Sequence, residues 1–205
     1  MNSESAKKQL CQILFEIGAL KFGAFRLTSG KASPYYIDLR MVPSFPDAFH
    51  RICDIYVKLI EDNVGAENFR LIAGVPTAGI PFGAVIAYNL HRPFIYIRST
   101  QSNHGRKRRV EGVLTPGDKV LLLDDLVTSG KSLIQAASAI RTEGGIVNDA
   151  VVLITREEGG DEKIAKENLT LHYLLKAGEI ANMLHEVGVI DDEELKRILR
   201  QRTEG

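Results

Sequence analysis

The stretch "KVLLLDDLVTSGKS", residues 119–132, sets an apolar run against two acids and a hydroxyl-rich turn that ends in Gly-Lys-Ser. Gly-Lys-Ser also closes the nucleotide-binding P-loop, G-x-x-x-x-G-K-[ST]. The first glycine of that motif would fall at Asp125. A carboxylate there meets a triphosphate where the loop needs bare backbone, so the nucleoside triphosphate reading fails.

A different phosphate fits the same residues. In open α/β sheets, ligands bind beyond the carboxyl ends of the strands. "VLLL" delivers Asp124 and Asp125 to that place, and Leu126 to Ser132 turn into a helix. Backbone N–H groups at a helix start, with the hydroxyls of Thr128, Ser129 and Ser132, suit a phosphate monoester. Gly130 lets the backbone approach it closely. Two carboxylates repel a polyphosphate but accept hydrogen bonds from adjacent sugar hydroxyls, so a sugar phosphate is the better ligand. The plainer alternatives are that the acids cap the helix start and that Lys131 is an exposed first-turn side chain.

Outward from this stretch the chain reads β-α repeated. "LIAGV" (71–75), "PFIYI" (93–97), "KVLLL" (119–123), "AVVLIT" (150–155) and "LTLHYLL" (169–175) are apolar strands. Helical spacing predicts helices over about 5–18, 46–61, 80–90 and 131–143, with Gly144 and Gly145 as stop signals. "IDDEELKRILR" (190–200) closes the chain as an amphipathic helix with Asp191 as its cap. Continuous apolar strands between helices predict a mostly parallel sheet covered on both faces. Residues 99–112 form a long polar stretch containing "HGRKRR" (104–109), expected as a functional loop or a two-stranded arm.

The bulk numbers are those of one globular domain. The 205 residues are 44% hydrophobic and 25% charged, with Lys+Arg and Asp+Glu balanced at 26 each. No net field draws the whole molecule to nucleic acid, and no apolar run is long enough for a membrane span. Cys11 and Cys53 are too few for a disulfide framework. The start lacks a signal-peptide apolar region, and the expected location is cytoplasmic.

"VLLLDDLVTSGKS" resembles the phosphoribosyl-pyrophosphate (PRPP) signature of type I phosphoribosyltransferases. "FRLTSGKASPYYIDLR" (25–40), "HGRKRRVEG" (104–112) running into "LTPGDKVLLLDD" (114–125), and "ITREEGG" (154–160) are similar to segments of orotate phosphoribosyltransferases. The resemblance implies the type I phosphoribosyltransferase fold: a central, mostly parallel sheet flanked by helices, a small N-terminal hood and a long flexible catalytic loop. It implies one domain, with helix and hood over about 1–45 and the α/β core over about 46–205. The implied reaction is magnesium-dependent transfer of the phosphoribosyl group of PRPP to orotate, giving orotidine 5′-monophosphate and pyrophosphate in pyrimidine synthesis. The implied assembly is a homodimer whose loop is shared across subunits.

By matching positions, Asp124 and Asp125 bind the ribose hydroxyls while Leu126, Val127, Thr128, Ser129, Gly130, Lys131 and Ser132 cradle the 5′-phosphate. Thr128 and Arg156 contact orotate, Arg156 through its carboxylate; a salt bridge from Arg156 to Glu157 or Glu158 is the competing role. Val75 to Gly79 lie near the pyrophosphate, Arg98 and His104 belong to the loop chemistry, and magnesium is held by PRPP and water rather than directly by the protein. The chain departs from the family pattern at Ser99 and Ser102, where lysines stand, and at Thr28, where many members carry Lys. A well-placed desolvated charge is worth about 2–4 kcal/mol in a transition state. Arg106, Lys107, Arg108 and Arg109 are the candidates to compensate. The missing lysines also raise an alternative, a PRPP-binding regulatory protein with weak or no catalysis.

Overall fold

The computed structural model describes residues 3–26, 32–98 and 109–201. Thr28, Ser99, Ser102, His104, Arg106, Lys107 and Arg108 lie outside the described residues.

Four strands with continuous apolar sequence form the centre of the sheet. They are β3 (Leu71–Gly74), β4 (Phe94–Ile97), β6 (Val120–Leu123) and β8 (Asp149–Thr155), and neighbouring members of the series β4-β3-β6-β8 run parallel. β7 (Leu126–Val127) continues the β6 edge along β8, and β9 (Thr170–Lys176) pairs with β8 in parallel. β5 (Val110–Glu111) is antiparallel to β4 at the edge. The stretch over 99–112, expected as a functional loop or a two-stranded arm, therefore ends in a strand paired antiparallel with β4. A two-residue strand has too few side chains to show a hydrophobic period, and β7 escaped the sequence reading for the same reason.

Alternate residues of each strand serve two separate cores. Ile72, Leu121, Leu123, Val151 and Leu153 face one apolar cluster, whereas Leu71, Ala73, Val120, Leu122, Ala150 and Val152 face the other. That two-sided burial is why these strands read as unbroken apolar runs. The first cluster takes in α1 (Ser3–Glu16), α2 (Pro46–Asn63), α3 (Gly79–Asn89) and α6 (Ala177–Glu186). The second takes in α4 (Lys131–Thr142) and α5 (Gly160–Lys166). Phe82 of α3 is fully buried, with Phe49 edge-on at 5.2 Å and Tyr56 at 5.5 Å, both from α2. Burying such a ring contributes about 1.5–3 kcal/mol.

Apart from the main sheet, β1 (Leu20–Arg26) and β2 (Ala32–Ile37) form a two-stranded antiparallel sheet. It packs against α7 (Asp192–Gln201), and Ile198 of that helix is buried. Asp191 caps α7 by accepting from the N–H groups of Glu193 and Glu194, and Glu194 returns a bond to the Asp191 N–H. Among the described residues, no helix is long and apolar enough to cross a membrane.

Candidate active site

The parallel strands end on one side of the sheet, and Asp124, Asp125, the turn Leu126–Ser132 and Arg156 lie there. β6 ends at Leu123 and hands over to the acid pair. The Asp124 N–H donates to the Val151 carbonyl at 3.2 Å, and the Asp125 carbonyl accepts from the Leu153 N–H at 3.0 Å. The Tyr56 hydroxyl donates to the Asp124 carbonyl at 2.7 Å inside the protein. Asp124 is buried and Asp125 half-buried. Their carboxylates accept from the turn's own backbone, Asp124 from the Asp125 N–H at 3.0 Å and Asp125 from the Leu126 N–H at 2.8 Å.

This placement sets the electrostatics of the pair. Burial, and then the neighbouring charge of Asp125, pushes the Asp124 carboxyl well above the usual range, against which the Gly79 N–H pulls back. Burial also raises Asp125, while the Leu126 N–H and the charge of Arg40 oppose it. Two carboxylates this close and this dry resist both being ionised. The acids do not cap the following helix, because α4 has Gly130 as its N-cap with no side-chain cap bond.

Between the acids and α4, Leu126 and Val127 are held against β8, Thr128 is half-buried, and Ser129, Lys131 and Ser132 are exposed. Gly130 has φ 76°, a left-handed conformation that costs glycine little. A Cβ there would also come within 2.8 Å of the Ile164 side chain. The start of α5 closes on the turn from the other side, and a Cβ on Gly160 would lie 2.5 Å from the Thr128 carbonyl oxygen. Close packing thus orders a turn that opens into the N-terminus of a twelve-residue helix. The unpaired N–H groups and the dipole at such a terminus favour an anion.

Arg156 follows β8 directly, and its N–H donates to the Val127 carbonyl at 2.9 Å, joining it to the same turn. Its side chain is only 5% exposed, donates through Nε to Glu158 at 2.9 Å, and lies over the ring of Tyr35 with Cζ 4.7 Å from the centroid. The salt bridge weighed from sequence is therefore present, to Glu158. The turn Val75–Gly79 begins beside the acids, its Val75 N–H donating to the Leu123 carbonyl at 2.9 Å; the Pro76–Thr77 peptide is cis.

Arg98 directly follows β4, two strands away from β6 in the sheet. It is ion-paired with Glu111 at 3.0 Å, so in this structure its guanidinium is engaged at the loop base. Arg109, read as a compensating cation, instead directs Nε and Nη2 at the Arg98 carbonyl at 3.4 and 3.2 Å. The Arg98 N–H donates back to the Arg109 carbonyl at 2.8 Å. Among the described residues, no group of three or more His, Cys, Asp or Glu side chains could hold a metal.

Sequence reasoning missed several contributors. Tyr56 was legible only as a helix position beside core residues, and nothing local announces that its hydroxyl reaches the Asp124 carbonyl. Glu111 and Tyr35 acquire their partners only through the sheet and the hood. The Gly-Gly pair at Gly159 and Gly160 was the available signal for a close backbone approach.

The family model of the phosphoribosyl transferase domain matches residues 45–172. The chain is 40% identical over 193 residues to an orotate phosphoribosyltransferase of Staphylothermus marinus, covering 94% of this chain and 93% of that one. The crystal structure of orotate phosphoribosyltransferase from Aeropyrum pernix superposes with a TM-score of 0.74 at 30% identity, covering 87% of this chain and 99% of that one. The structure of Leishmania donovani UMP synthase gives a TM-score of 0.84 at 27% identity over 96% of this chain, which spans 42% of the synthase. A strand leading into a buried and a half-buried acid, a glycine-hinged turn and a helix N-terminus thus occur on a fold shared with these proteins, and the chain belongs to the phosphoribosyltransferase family, within its orotate phosphoribosyltransferase group.

Proposed function

We propose that this protein is an orotate phosphoribosyltransferase of pyrimidine synthesis, transferring the phosphoribosyl group of PRPP to orotate with release of pyrophosphate. The observation that carries the reading is the Asp124–Asp125 pair, one acid buried and the other half-buried, set directly before the turn into α4. The carboxylates are oriented by backbone N–H donors before any ligand arrives, which suits them to receive the ribose hydroxyls. The turn Thr128–Ser132 and the N-terminus of α4 take the 5′-phosphate. Arg156 holds the orotate carboxylate, and Thr128 approaches the base.

Pyrophosphate departs with its bonding electron pair, leaving positive charge on the ribose ring, to which an orotate ring nitrogen bonds as its N–H proton passes to the departing pyrophosphate. The protein holds the two reactants in line and excludes water from the activated sugar. A magnesium ion held by PRPP and water rather than directly by the protein belongs to the same reading. When bound, that ion neutralises charge on the leaving pyrophosphate. Arg98 and the loop cations supply the remaining positive charge, with Arg98 exchanging Glu111 for the substrate.

A homodimer sharing its loops belongs to the same proposal, with sedimentation as its check. So does a cytoplasmic location, with which the two free, buried cysteines accord. Incubating the protein with PRPP, magnesium and orotate tests the activity. Loss of orotate absorbance, without turnover of uracil or hypoxanthine, is the expected result. PRPP binding without any turnover would overturn it in favour of a regulatory protein.

A further inference from the structure

Arg156 is fixed by residues that no motif singles out. Tyr35 comes from β2 and Arg156 from the end of β8, and the two meet with the guanidinium carbon 4.7 Å from the ring centroid. Each is only 5% exposed. The ring packs against the guanidinium, and the 2.9 Å bond from Nε to Glu158 ties down one of its donors. Glu158 itself is largely buried, its side chain 12% exposed. Arginine grips a carboxylate with two parallel N–H donors, so recognition depends on the plane in which the guanidinium is held.

Tyr35 in turn rests on an apolar floor. It lines a small cavity with Leu20 and Ile37 of the hood, Ile180 and Ala181 of α6, and Ile198 of α7. The C-terminal helices thereby support the ring that supports the arginine.

We propose that Tyr35 is a positioning residue for the acceptor base, holding the Arg156 guanidinium in the plane that receives a planar carboxylate and so setting the preference for orotate over a pyrimidine lacking that group. The inference rests on Arg156 being the carboxylate-binding residue. It assigns Tyr35 no part in PRPP binding, because the acid pair and the α4 turn are anchored by β8, α2 and α5.

The test compares Tyr35→Leu, Tyr35→Phe and Arg156→Ala in the full-length protein. The readouts are steady-state kinetics with orotate, competitive inhibition of that reaction by uracil, and calorimetric titration with orotate and with PRPP. For Tyr35→Leu, the orotate KM and Kd are expected to rise about tenfold or more while kcat and PRPP affinity stay within about threefold. The orotate-over-uracil preference narrows in step. Tyr35→Phe keeps the ring while removing the hydroxyl that hydrogen-bonds with Arg156, and is expected to restore most of the affinity. If Tyr35→Leu leaves orotate affinity unchanged while Arg156→Ala weakens it, the positioning role is wrong and the proposed function stands. If Arg156→Ala itself leaves orotate affinity unchanged, the carboxylate assignment falls and this inference with it. If Tyr35→Leu loses PRPP affinity as well, the residue serves the fold, and the inference is overturned.

Discussion

At the scale of single residues, Asp124 sets stability against binding. Its carboxyl is raised by burial and by Asp125, so the folded chain holds a proton that the unfolded chain has already released. The stability this contributes is present below the ordinary carboxylate range and is lost as pH rises through the folded value. Asp124→Asn removes that loss. The expected outcome is a ligand-free protein whose melting temperature near neutral pH rises by about 2–4 °C, as for a gain near 1 kcal/mol in a chain of this size. Its stability should also fall less than that of the wild type as pH rises above the ordinary carboxylate range. Scanning calorimetry across that range checks the claim, and a variant less stable than wild type at neutral pH would contradict it. Tyr56 supplies a second prediction. Tyr56→Phe strands the buried Asp124 carbonyl without its 2.7 Å donor and is expected to cost about 1–3 kcal/mol in urea unfolding.

At the scale of elements, the phosphate turn depends on two glycines that let α5 approach it closely. Gly160 opens α5 against the Thr128 carbonyl, and Gly130 meets Ile164 from the turn side. Gly160→Ala would push a Cβ into backbone that has little room to yield. It is expected to raise the PRPP Kd by about tenfold or more, a displacement of roughly 1.4 kcal/mol, read by titration calorimetry. Unchanged affinity would mean that α5 does not shape the turn. Legibility followed the same scale. β3, β4, β6, β8 and β9 could be read because each is an apolar run in a buried or half-buried place. β5 and β7 could not, because two residues carry no period. The acid pair and the helix start could be read because they are contiguous in sequence. The stack of Tyr35 on Arg156 could not, since it joins a hood strand to a core strand far along the chain.

At the scale of the whole molecule, the two cores on either face of the sheet hold the strand ends still, and the site is a surface of that rigid body. The thiols report on it. Burial pushes Cys11 up to about 11 and Cys53, helped by Asp54, up to about 12. Both are therefore expected to resist an aromatic disulfide reagent at about pH 8 until the chain unfolds, since the thiolate is the reactive form. Rapid labelling of the native protein would show that α1 or α2 opens locally. The central claim, however, is that the acids ending β6 and the turn into α4 together grip a phosphorylated ribose. Its most direct test is calorimetric titration of magnesium-PRPP into the wild type and into the Asp124→Asn, Asp125→Asn double variant, with the fold of each checked by thermal unfolding. The account predicts that a folded double variant loses at least about tenfold in affinity, or roughly 1.4 kcal/mol; a folded double variant that binds PRPP as tightly as the wild type would contradict it.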